Sequence, residues 1–389
     1  MKIVIAPDSF KGSLSAASAA EAIAQGIRRC VPDAGIVKLP IADGGEGTLD
    51  SLLAATGGER ITVIVTGPLG ASVSASYGIM EQTAVIEMAE ASGLCLLTEE
   101  QRNPVLTTTY GTGELIRHAL DRGCRRFLLT VGGSATNDGG TGMLQALGMR
   151  LLDRQGNPVP PGGGALAGIA TIDDSLWDPR IAESTFVIAT DVQNPLIGEQ
   201  GASSVFGPQK GASPETVDLL EHGMTAWADL IEAKTGIRLH ERPGAGAAGG
   251  LCSAYLAFFP ASVRRGIDVV LEHVHLEEHL DGADLVITGE GRIDHQTSSG
   301  KAPMGVAQLA KKHGVPAIAL AGSVGSGIDV LHAEGISSVH GIMNTPMTLR
   351  EAMERAPILL EQSAEQVIRA FLAGRSKTIK DRRDIRNEI

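Results

Sequence analysis

Residues 126–147 read RFLLTVGGSATNDGGTGMLQAL, and this stretch contains the pattern that decides the fold. An apolar run, Phe127–Val131, leads into a loop of Gly, Ser, Thr, Asn and Asp, and a helical stretch then ends near Leu147. A short apolar run without alternation is typical of a strand in a parallel sheet, because such a strand is buried on both faces. The stretch therefore predicts a strand, a glycine-rich loop and a helix.

The same order of elements recurs along the chain and predicts βαβ units. The other predicted strands of this kind lie at residues 3–6, 37–41, 285–288 and 317–321. Residues 59–89 differ, because closely spaced β-branched runs follow one another there without a helix, as in an antiparallel or mixed sheet. The expected fold class is α/β, with a Rossmann-like parallel sheet flanked by helices and a second α/β domain that contains a mixed sheet.

The order of these patterns predicts a discontinuous first domain. Residues 1–66 together with 281–375 are assigned to the Rossmann-like domain, and residues 67–280 form an inserted α/β domain with the mixed sheet. Residues 121–147 fit either domain. The charged tail, residues 376–389, is predicted to fray.

Composition limits the classes of function. A length of 389 residues with 43% hydrophobic residues suits two globular domains. A net charge of −12 and only 3% aromatic residues argue against a nucleic-acid partner. The longest apolar run, residues 251–259, is too short to cross a membrane, and the N-terminal run is too short for a signal peptide. We therefore expect a cytoplasmic protein that binds neither nucleic acid nor membrane, and a homodimer stays open.

The loops after the predicted strands carry groups suited to phosphoryl transfer. This reaction needs N–H groups and cations that hold phosphate oxygens, and a residue that orients the attacking hydroxyl. Glycine lets the main chain approach a phosphate, and carboxylates hold Mg²⁺. Because the loops that follow parallel strands gather at one edge of the sheet, we expect them to form one site. The loops are DSFKGS at 8–13, DGGEGT at 43–48, GGSATNDGG at 132–140 and GEGRID at 289–294.

A different class of enzyme is indicated by one other motif. Residues 244–249, GAGAAG, match the G-x-G-x-x-G pattern of dinucleotide-binding loops, and Asp268 follows at about the expected distance. The motif follows ERP rather than a clear strand, so a nicotinamide-dependent oxidoreductase is the alternative hypothesis. The sequence contains no G-x-x-x-x-G-K-[ST] phosphate-binding loop.

The loops taken together resemble the class I glycerate kinase family. The resemblance is carried, in the family's order and up to about residue 372, by APDSFKGSLSA, ADGGEGT, GGSATNDGGTGM, TDVQNPL, FGPQKGAS, GAGAAGGL and ADLVITGEGRID. It implies a two-domain α/β kinase that uses ATP and Mg²⁺ to phosphorylate D-glycerate. The bacterial members imply transfer to the 2-hydroxyl, which gives 2-phosphoglycerate, while the neighbouring 3-hydroxyl stays open. The cleft between the domains is the expected site.

Within the resemblance, side-chain chemistry predicts the site residues. Lys11 is expected to contact a phosphate or a carboxylate, and Asp191 to act as a base or a metal ligand. Arg292 is expected to clamp the substrate carboxylate and Asp294 to accept the hydroxyl proton. The predicted Mg²⁺ ligands are Asp43, Glu46, Asp138 and Glu290. The predicted substrate or phosphate contacts are Asp8, Ser9, Ser13, Gly132, Gly133, Ser134, Thr136, Asn137, Lys210, Gly289 and Lys301.

Overall fold

The computed structural model describes the backbone of residues 1–387 and the side chains of residues 1–375 except that of Ser299. The strands are β1 (Lys2–Pro7), β2 (Gly35–Lys38), β3 (Glu59–Thr66), β4 (Ser72–Met80), β5 (Thr83–Glu87), β6 (Arg126–Thr130), β7 (Arg150–Leu152), β8 (Thr171–Asp173), β9 (Thr185–Ala189), β10 (Ala261–Arg264), β11 (Leu285–Ile293), β12 (Ala317–Val324) and β13 (Ile336–Gly341). The α-helices are α1 (Ala16–Cys30), α2 (Thr48–Thr56), α3 (Ala89–Ser92), α4 (Tyr110–Asp121), α5 (Thr141–Ala146), α6 (Ala202–Phe206), α7 (Pro214–Thr235), α8 (Leu251–Phe258), α9 (Gly266–His273), α10 (Leu276–Leu280), α11 (Ala302–Lys312), α12 (Asp329–Glu334), α13 (Leu349–Glu354) and α14 (Ala356–Asn387). Short 3₁₀ helices lie at Leu94–Leu96, Glu99–Gln101, Gly163–Gly168, Pro179–Ile181, Pro208–Lys210 and His295–Ser299.

The chain divides into two compact units. The first unit contains Met1–Asp43 and the described residues from Val270 onward, and the second unit contains Gly44–Val269. Each unit has its own sheet and its own apolar core.

The first unit contains a parallel sheet whose described strands have the order β13-β12-β11-β1-β2. From β1 the chain passes through α1 to β2 on one side, whereas from β11 it passes through α11 to β12 on the other. The winding therefore reverses between β1 and β11, where Pro7 pairs with Gly289. Ligands of open α/β sheets bind at such a switch point, outside the carboxyl ends of the strands.

Helices α1 and α14 pack together over the first sheet. They touch so closely at Gly26 that a side chain there would collide with the backbone carbonyl of Glu361. Ile23 and Ile27 of α1 and Leu360 and Ile368 of α14 are fully buried in the core of this unit. The N-terminal and C-terminal parts of the chain thus form one core.

The second unit contains a mixed sheet, with the described strands in the order β10-β9-β6-β5-β4-β3. Strands β5, β6, β9 and β10 run parallel, so their carboxyl ends lie at the same edge of the sheet. Strand β4 pairs antiparallel with β5 on one side and with β3 on the other. The stacked rings of Phe127 on β6 and Phe186 on β9, with centroids 4.7 Å apart, lie in the core beneath this sheet. Strands β7 and β8 form a separate antiparallel pair.

The predicted fold class is confirmed: a parallel sheet flanked by helices and a second, mixed sheet are both present. The units nevertheless break at different residues from those expected. Residues 44–66 lie in the second unit because β3 pairs along its whole length with β4, and residues 121–147 lie there because β6 is a central strand of the mixed sheet. Residues 270–280 lie in the first unit.

At the C-terminus, the backbone of α14 continues to Asn387. The predicted fraying concerns residues 376–389, which lie outside the residues whose side chains are described, and it stays a prediction. Among the described helices, none is both long enough and apolar enough to pass through a membrane.

Candidate active site

Two carboxylates of the first unit lie at its switch point. Asp8 directly follows β1, and Glu290 is the residue of β11 after Gly289, which pairs with the last residue of β1. Burial and the negative charge of Asp43 raise the pKa of Asp8 to about 7. Burial also raises the pKa of Glu290, although the positive charge of Lys301 opposes the shift. Carboxylates whose burial and mutual repulsion raise their pKa values in this way are typical of functional sites.

Cationic and hydroxyl groups surround these carboxylates. The Nζ atom of Lys301 lies 3.8 Å from Oε1 of Glu290, and the Thr297 hydroxyl donates a 3.0 Å hydrogen bond to the same oxygen. The positive charge of Lys11 opposes the rise in the pKa values of both Asp8 and Glu290, so Lys11 also lies near the cluster. The first unit therefore presents both signs of charge at its switch point, as the binding of a phosphate–metal complex requires.

The other predicted residues of the first loop have structural contacts. The Ser9 N–H donates to Oδ1 of Asp8. The Ser13 hydroxyl donates a 2.6 Å hydrogen bond to the backbone carbonyl of Met353, and Gly12 between Lys11 and Ser13 adopts a φ of 76°. These contacts set the course of the loop that carries Lys11.

Gly289 is required for sheet packing. Its carbonyl accepts a 2.8 Å hydrogen bond from the Asp8 N–H, and a side chain at this position would collide with the Leu320 carbonyl of β12. Gly289 therefore fixes the position of Asp8. These contacts of Gly289 give no support to the substrate contact that was predicted for it.

Arg292 and Asp294 form a pair at the end of β11. Oδ2 of Asp294 accepts a 3.0 Å hydrogen bond from Nε of Arg292, and Oδ1 accepts one of 3.0 Å from the Gln296 N–H at the start of a 3₁₀ helix. Burial pushes the pKa of Asp294 upward, but these hydrogen bonds outweigh it and the pKa lies below its usual range. Asp294 thus holds Arg292, whose side chain is 70% exposed, and a carboxylate with a lowered pKa is poorly suited to accept a proton.

In the second unit, the loop after Asp43 is held by close backbone packing. A side chain at Gly132 would lie 2.7 Å from Cα of Gly45, and one at Gly44 would lie 2.9 Å from Cα of Gly266. Only glycine fits at these contacts. The exposed side chain of Glu46 is carried on this loop.

Glu87 supports the same loop and was missed by the sequence analysis. It ends β5, is 4% exposed, and accepts hydrogen bonds of 2.9 and 3.0 Å from the N–H groups of Gly47 and Leu49 at the start of α2. Burial raises its pKa to about 7, although these hydrogen bonds oppose the shift. The sequence did contain a signal for this residue, because Glu87 is an acidic residue at the end of an otherwise apolar strand, TAVIE.

Asp138 is a fully buried carboxylate surrounded by donors. Its Oδ2 accepts hydrogen bonds from the Thr109 N–H, the Thr109 hydroxyl and the Gly142 N–H, and its Oδ1 accepts one from the Gly140 N–H. Burial raises its pKa against the effect of these bonds. Since Mg²⁺ needs a carboxylate with an open side, Asp138 does not fit the metal-binding role predicted for it and instead holds the loop in place.

Lys210 lies beneath the same loop. Its side chain is 1% exposed, and Nζ donates hydrogen bonds of 2.9 Å to the Ser134 hydroxyl and 2.7 Å to the Thr136 carbonyl. Burial lowers the pKa of Lys210 to about 7, and the negative charge of Asp138 opposes this shift. The direct substrate contact predicted for Lys210 is therefore blocked by the loop above it.

Other predicted residues of the second unit lie at the same sheet edge. Gly133 adopts a φ of 74°, and the Asn137 amide donates a 3.0 Å hydrogen bond to the Ser203 hydroxyl. Asp191 follows β9, and its Oδ1 lies 3.9 Å from Nε of Arg265. Loops 44–47 and 132–137 and Asp191 thus lie near the ends of the parallel strands of this unit.

The donor set suits a metal that arrives with a substrate. Among the described residues, no group of three or more His, Cys, Asp and Glu side chains converges to hold a metal ion by itself. Mg²⁺ usually binds through one or two carboxylates together with substrate phosphates. Asp43 and Glu290 fit that role because their charges act on Asp8 at the switch point. The role of Glu46, which belongs to the second unit, stays a prediction.

The G-x-G-x-x-G segment is packed against protein. A side chain at Gly246 would collide with the Pro195 carbonyl, and one at Gly249 would collide with the Thr136 carbonyl. The segment forms turns and follows no strand. These glycines therefore serve close backbone packing, and the basis for a nicotinamide-binding loop is absent from residues 244–249.

Comparisons with known proteins agree with the loop chemistry. A family model described as the glycerate kinase family matches residues 3–372. Glycerate kinase of Bacillus subtilis is 51% identical over 369 residues, which cover 94% of this chain and 97% of that protein. Glycerate 2-kinase of Escherichia coli is 49% identical over 358 residues, which cover 92% and 94%. The crystal structure of a glycerate kinase 2 from Salmonella typhimurium LT2 superposes with a TM-score of 0.86 at 49% identity, covering 97% of this chain and 99% of the other.

The match to this family model and to these relatives identifies the chain as an enzyme of the kinase class. More particularly, the chain belongs to the glycerate kinase family. The resemblance seen in the sequence is thereby confirmed.

Proposed function

We propose that this kinase transfers the γ-phosphoryl group of ATP to the 2-hydroxyl of D-glycerate and releases ADP and 2-phosphoglycerate. The observation that carries the proposal is the cluster of Asp8, Glu290, Lys11 and Lys301 at the switch point of the first sheet. The 2-hydroxyl is favoured because a relative with 49% identity is a glycerate 2-kinase.

In the proposed mechanism, Lys11 and Lys301 offset the negative charge of the transferred group. Asp8 orients the attacking hydroxyl and takes up its proton as the new O–P bond forms and the bond to ADP breaks, since both oxygens of Asp294 already accept hydrogen bonds from protein donors. Arg292 binds the carboxylate of glycerate through the part of its guanidinium that Asp294 does not hold. Asp43 and Glu290 would hold Mg²⁺, which when bound adds positive charge beside the phosphates.

The remaining expectations stay predictions. Transfer in an interdomain cleft would exclude the water that would otherwise hydrolyse ATP. The cytoplasmic location, a homodimer, and the lack of a nucleic-acid partner also stay predictions.

The test is a product analysis with purified protein, ATP, Mg²⁺ and D-glycerate. We expect ADP release that depends on glycerate, and a ³¹P NMR signal of 2-phosphoglycerate. L-glycerate and a sample without glycerate are the controls. A signal of 3-phosphoglycerate would reject the regiochemistry alone, and ADP release no faster than in the sample without glycerate would reject the activity.

A further inference from the structure

The loop of residues 132–137 is held from below by one segment of the second unit. Lys210 donates to the Ser134 hydroxyl at 2.9 Å and to the Thr136 carbonyl at 2.7 Å, and the Ser203 hydroxyl accepts from the Asn137 amide at 3.0 Å. Residues 203–210 therefore contact three polar residues of the loop, namely Ser134, Thr136 and Asn137. With 1% of its side chain exposed, Lys210 cannot itself reach a substrate.

The position of Lys210 is determined by a tight turn. It ends the 3₁₀ helix Pro208–Lys210, and the next residue, Gly211, has a φ of 97°. A side chain at Gly211 would collide with the backbone carbonyl of Arg102. The backbone that carries Lys210 thus has little freedom to move away from the loop.

The charge of Lys210 has no direct carboxylate partner. No ion pair within 4.0 Å joins Lys210 to an Asp or Glu among the side chains that the structure describes. Asp138 is near enough to affect the pKa of Lys210, but its oxygens accept hydrogen bonds from Thr109, Gly140 and Gly142. In its protonated form, Lys210 is a buried ammonium bonded only to neutral oxygens. Its positive potential then acts over a long range, because the interior has a low dielectric constant.

Loop 132–137 lies where anion-binding loops of α/β sheets are found. It follows β6 directly, it turns at Gly132 and at Gly133 with its φ of 74°, and it lies at the edge where the parallel strands end. Its buried Thr136 hydroxyl and Asn137 amide oxygen have no hydrogen-bond partner among the described residues. The loop thus combines a turn that is exposed at Gly133 with two buried polar atoms that receive no hydrogen bond from the described residues.

We propose that Lys210 is a positioning residue of the kinase reaction. It holds Ser134 and Thr136 in place, and its positive charge allows loop 132–134 to bind a phosphate group of the nucleotide. The proposal rests on the proposed function, because it takes ATP as the donor. Lys210 acts through the loop and touches no substrate.

The test compares Lys210→Met with a matched control, Lys234→Met. Lys234 is a partly exposed lysine at the end of α7 that pairs with Asp174, outside the proposed site. For Lys210→Met we expect the KM for ATP to rise about tenfold, the KM for glycerate to change less than about twofold, and kcat to fall. Lys234→Met is expected to keep all three values.

Ser134→Ala provides a second measurement if Lys210→Met does not fold. It removes one acceptor of Lys210 and keeps the lysine, and we expect the KM for ATP to rise about threefold with the KM for glycerate unchanged. In the double variant the two effects are expected to be less than multiplicative, because both act through one contact.

Three outcomes would overturn the proposal. The first is a lower melting temperature of Lys210→Met with wild-type kcat and KM values well below that temperature, which means a purely structural lysine. The second is a rise in the KM for glycerate alone, which assigns the loop to the acceptor. The third is wild-type kinetics of Ser134→Ala. Failure of the proposed function is distinguishable, because the wild-type enzyme would then show no glycerate-dependent turnover.

Discussion

Asp8 and Asp138 are both buried aspartates in loops that follow a central strand of a sheet, but their surroundings are opposite. Asp138 accepts four hydrogen bonds, two of them from Thr109, 29 residues away in the sequence. Asp8 accepts one from the adjacent Ser9 N–H and faces the negative charges of Asp43 and Glu290. One carboxylate therefore stabilises a loop, whereas the ionised form of the other is disfavoured unless a proton or a cationic ligand binds.

The largest expected effect separates the two residues by activity. Asp8→Asn should lower kcat about a thousandfold, because the amide orients the attacking hydroxyl poorly and removes charge from the cluster. Steady-state kinetics with ATP and D-glycerate measures this effect, and circular dichroism of the variant controls for folding. An Asp8→Asn enzyme that keeps half of the wild-type kcat would remove Asp8 from the mechanism.

The second effect separates them by stability. Asp138→Asn should lower the free energy of unfolding by about 3 kcal/mol. The new NH₂ group is itself a donor, so it cannot accept the hydrogen bonds that one carboxylate oxygen accepts now. Urea unfolding followed by tryptophan fluorescence reports on this region, since Trp227 donates a hydrogen bond to the Gly139 carbonyl. Thr109→Val removes the hydroxyl that donates to Asp138 and accepts from the Met143 N–H, and it should cost about 2 kcal/mol. An unchanged urea midpoint for Asp138→Asn would contradict the structural role.

The third effect concerns the pH dependence of stability. Because burial and the charge of Asp43 raise the pKa of Asp8 to about 7 in the folded protein, well above the usual range of an aspartate, ionised Asp8 destabilises the fold above pH 7. Protonation restores that stability as the pH falls from 7 toward 4. Asp8→Asn should therefore raise the free energy of unfolding by about 2 kcal/mol at pH 8 in metal-free buffer and have almost no effect near pH 4. An equal increase in the free energy of unfolding at both pH values would show that ionisation of Asp8 is not the cause.

The smallest effect concerns the pair at the end of β11. Arg292→Ala should raise the KM for glycerate about fivefold and that for ATP less, because the carboxylate clamp is lost. Asp294→Asn should raise the same KM by a smaller factor and keep most of kcat, since Asp294 acts by holding Arg292. A large loss of kcat in Asp294→Asn with an unchanged KM would restore Asp294 as the proton acceptor.

The sequence was sufficient for the fold class, the family and the loops, because strand-end glycines and carboxylates form local patterns. It was insufficient wherever a distant contact decides the role of a residue. Nothing near Asp138 indicates that Thr109 will bond to it, and nothing near Lys210 indicates that Ser134 will cover it. The loop ADGGEGT appears as one motif, yet Asp43 belongs to the first unit and Glu46 to the second.

The packing of α1 against α14 determines the order in which a nascent chain becomes buried. Residues 44–269 are contiguous, so the second unit is complete on the ribosome while α14 is still unsynthesised. Domains fold as units during synthesis, and β1 and α1 must therefore wait for β11 and α14, their partners from the far end of the chain. In a ribosome-bound chain stalled near residue 310, protease should cleave residues 1–43 while sparing 44–269. Strand β1 thus leaves the ribosome before the strands of the second unit but is protected after them.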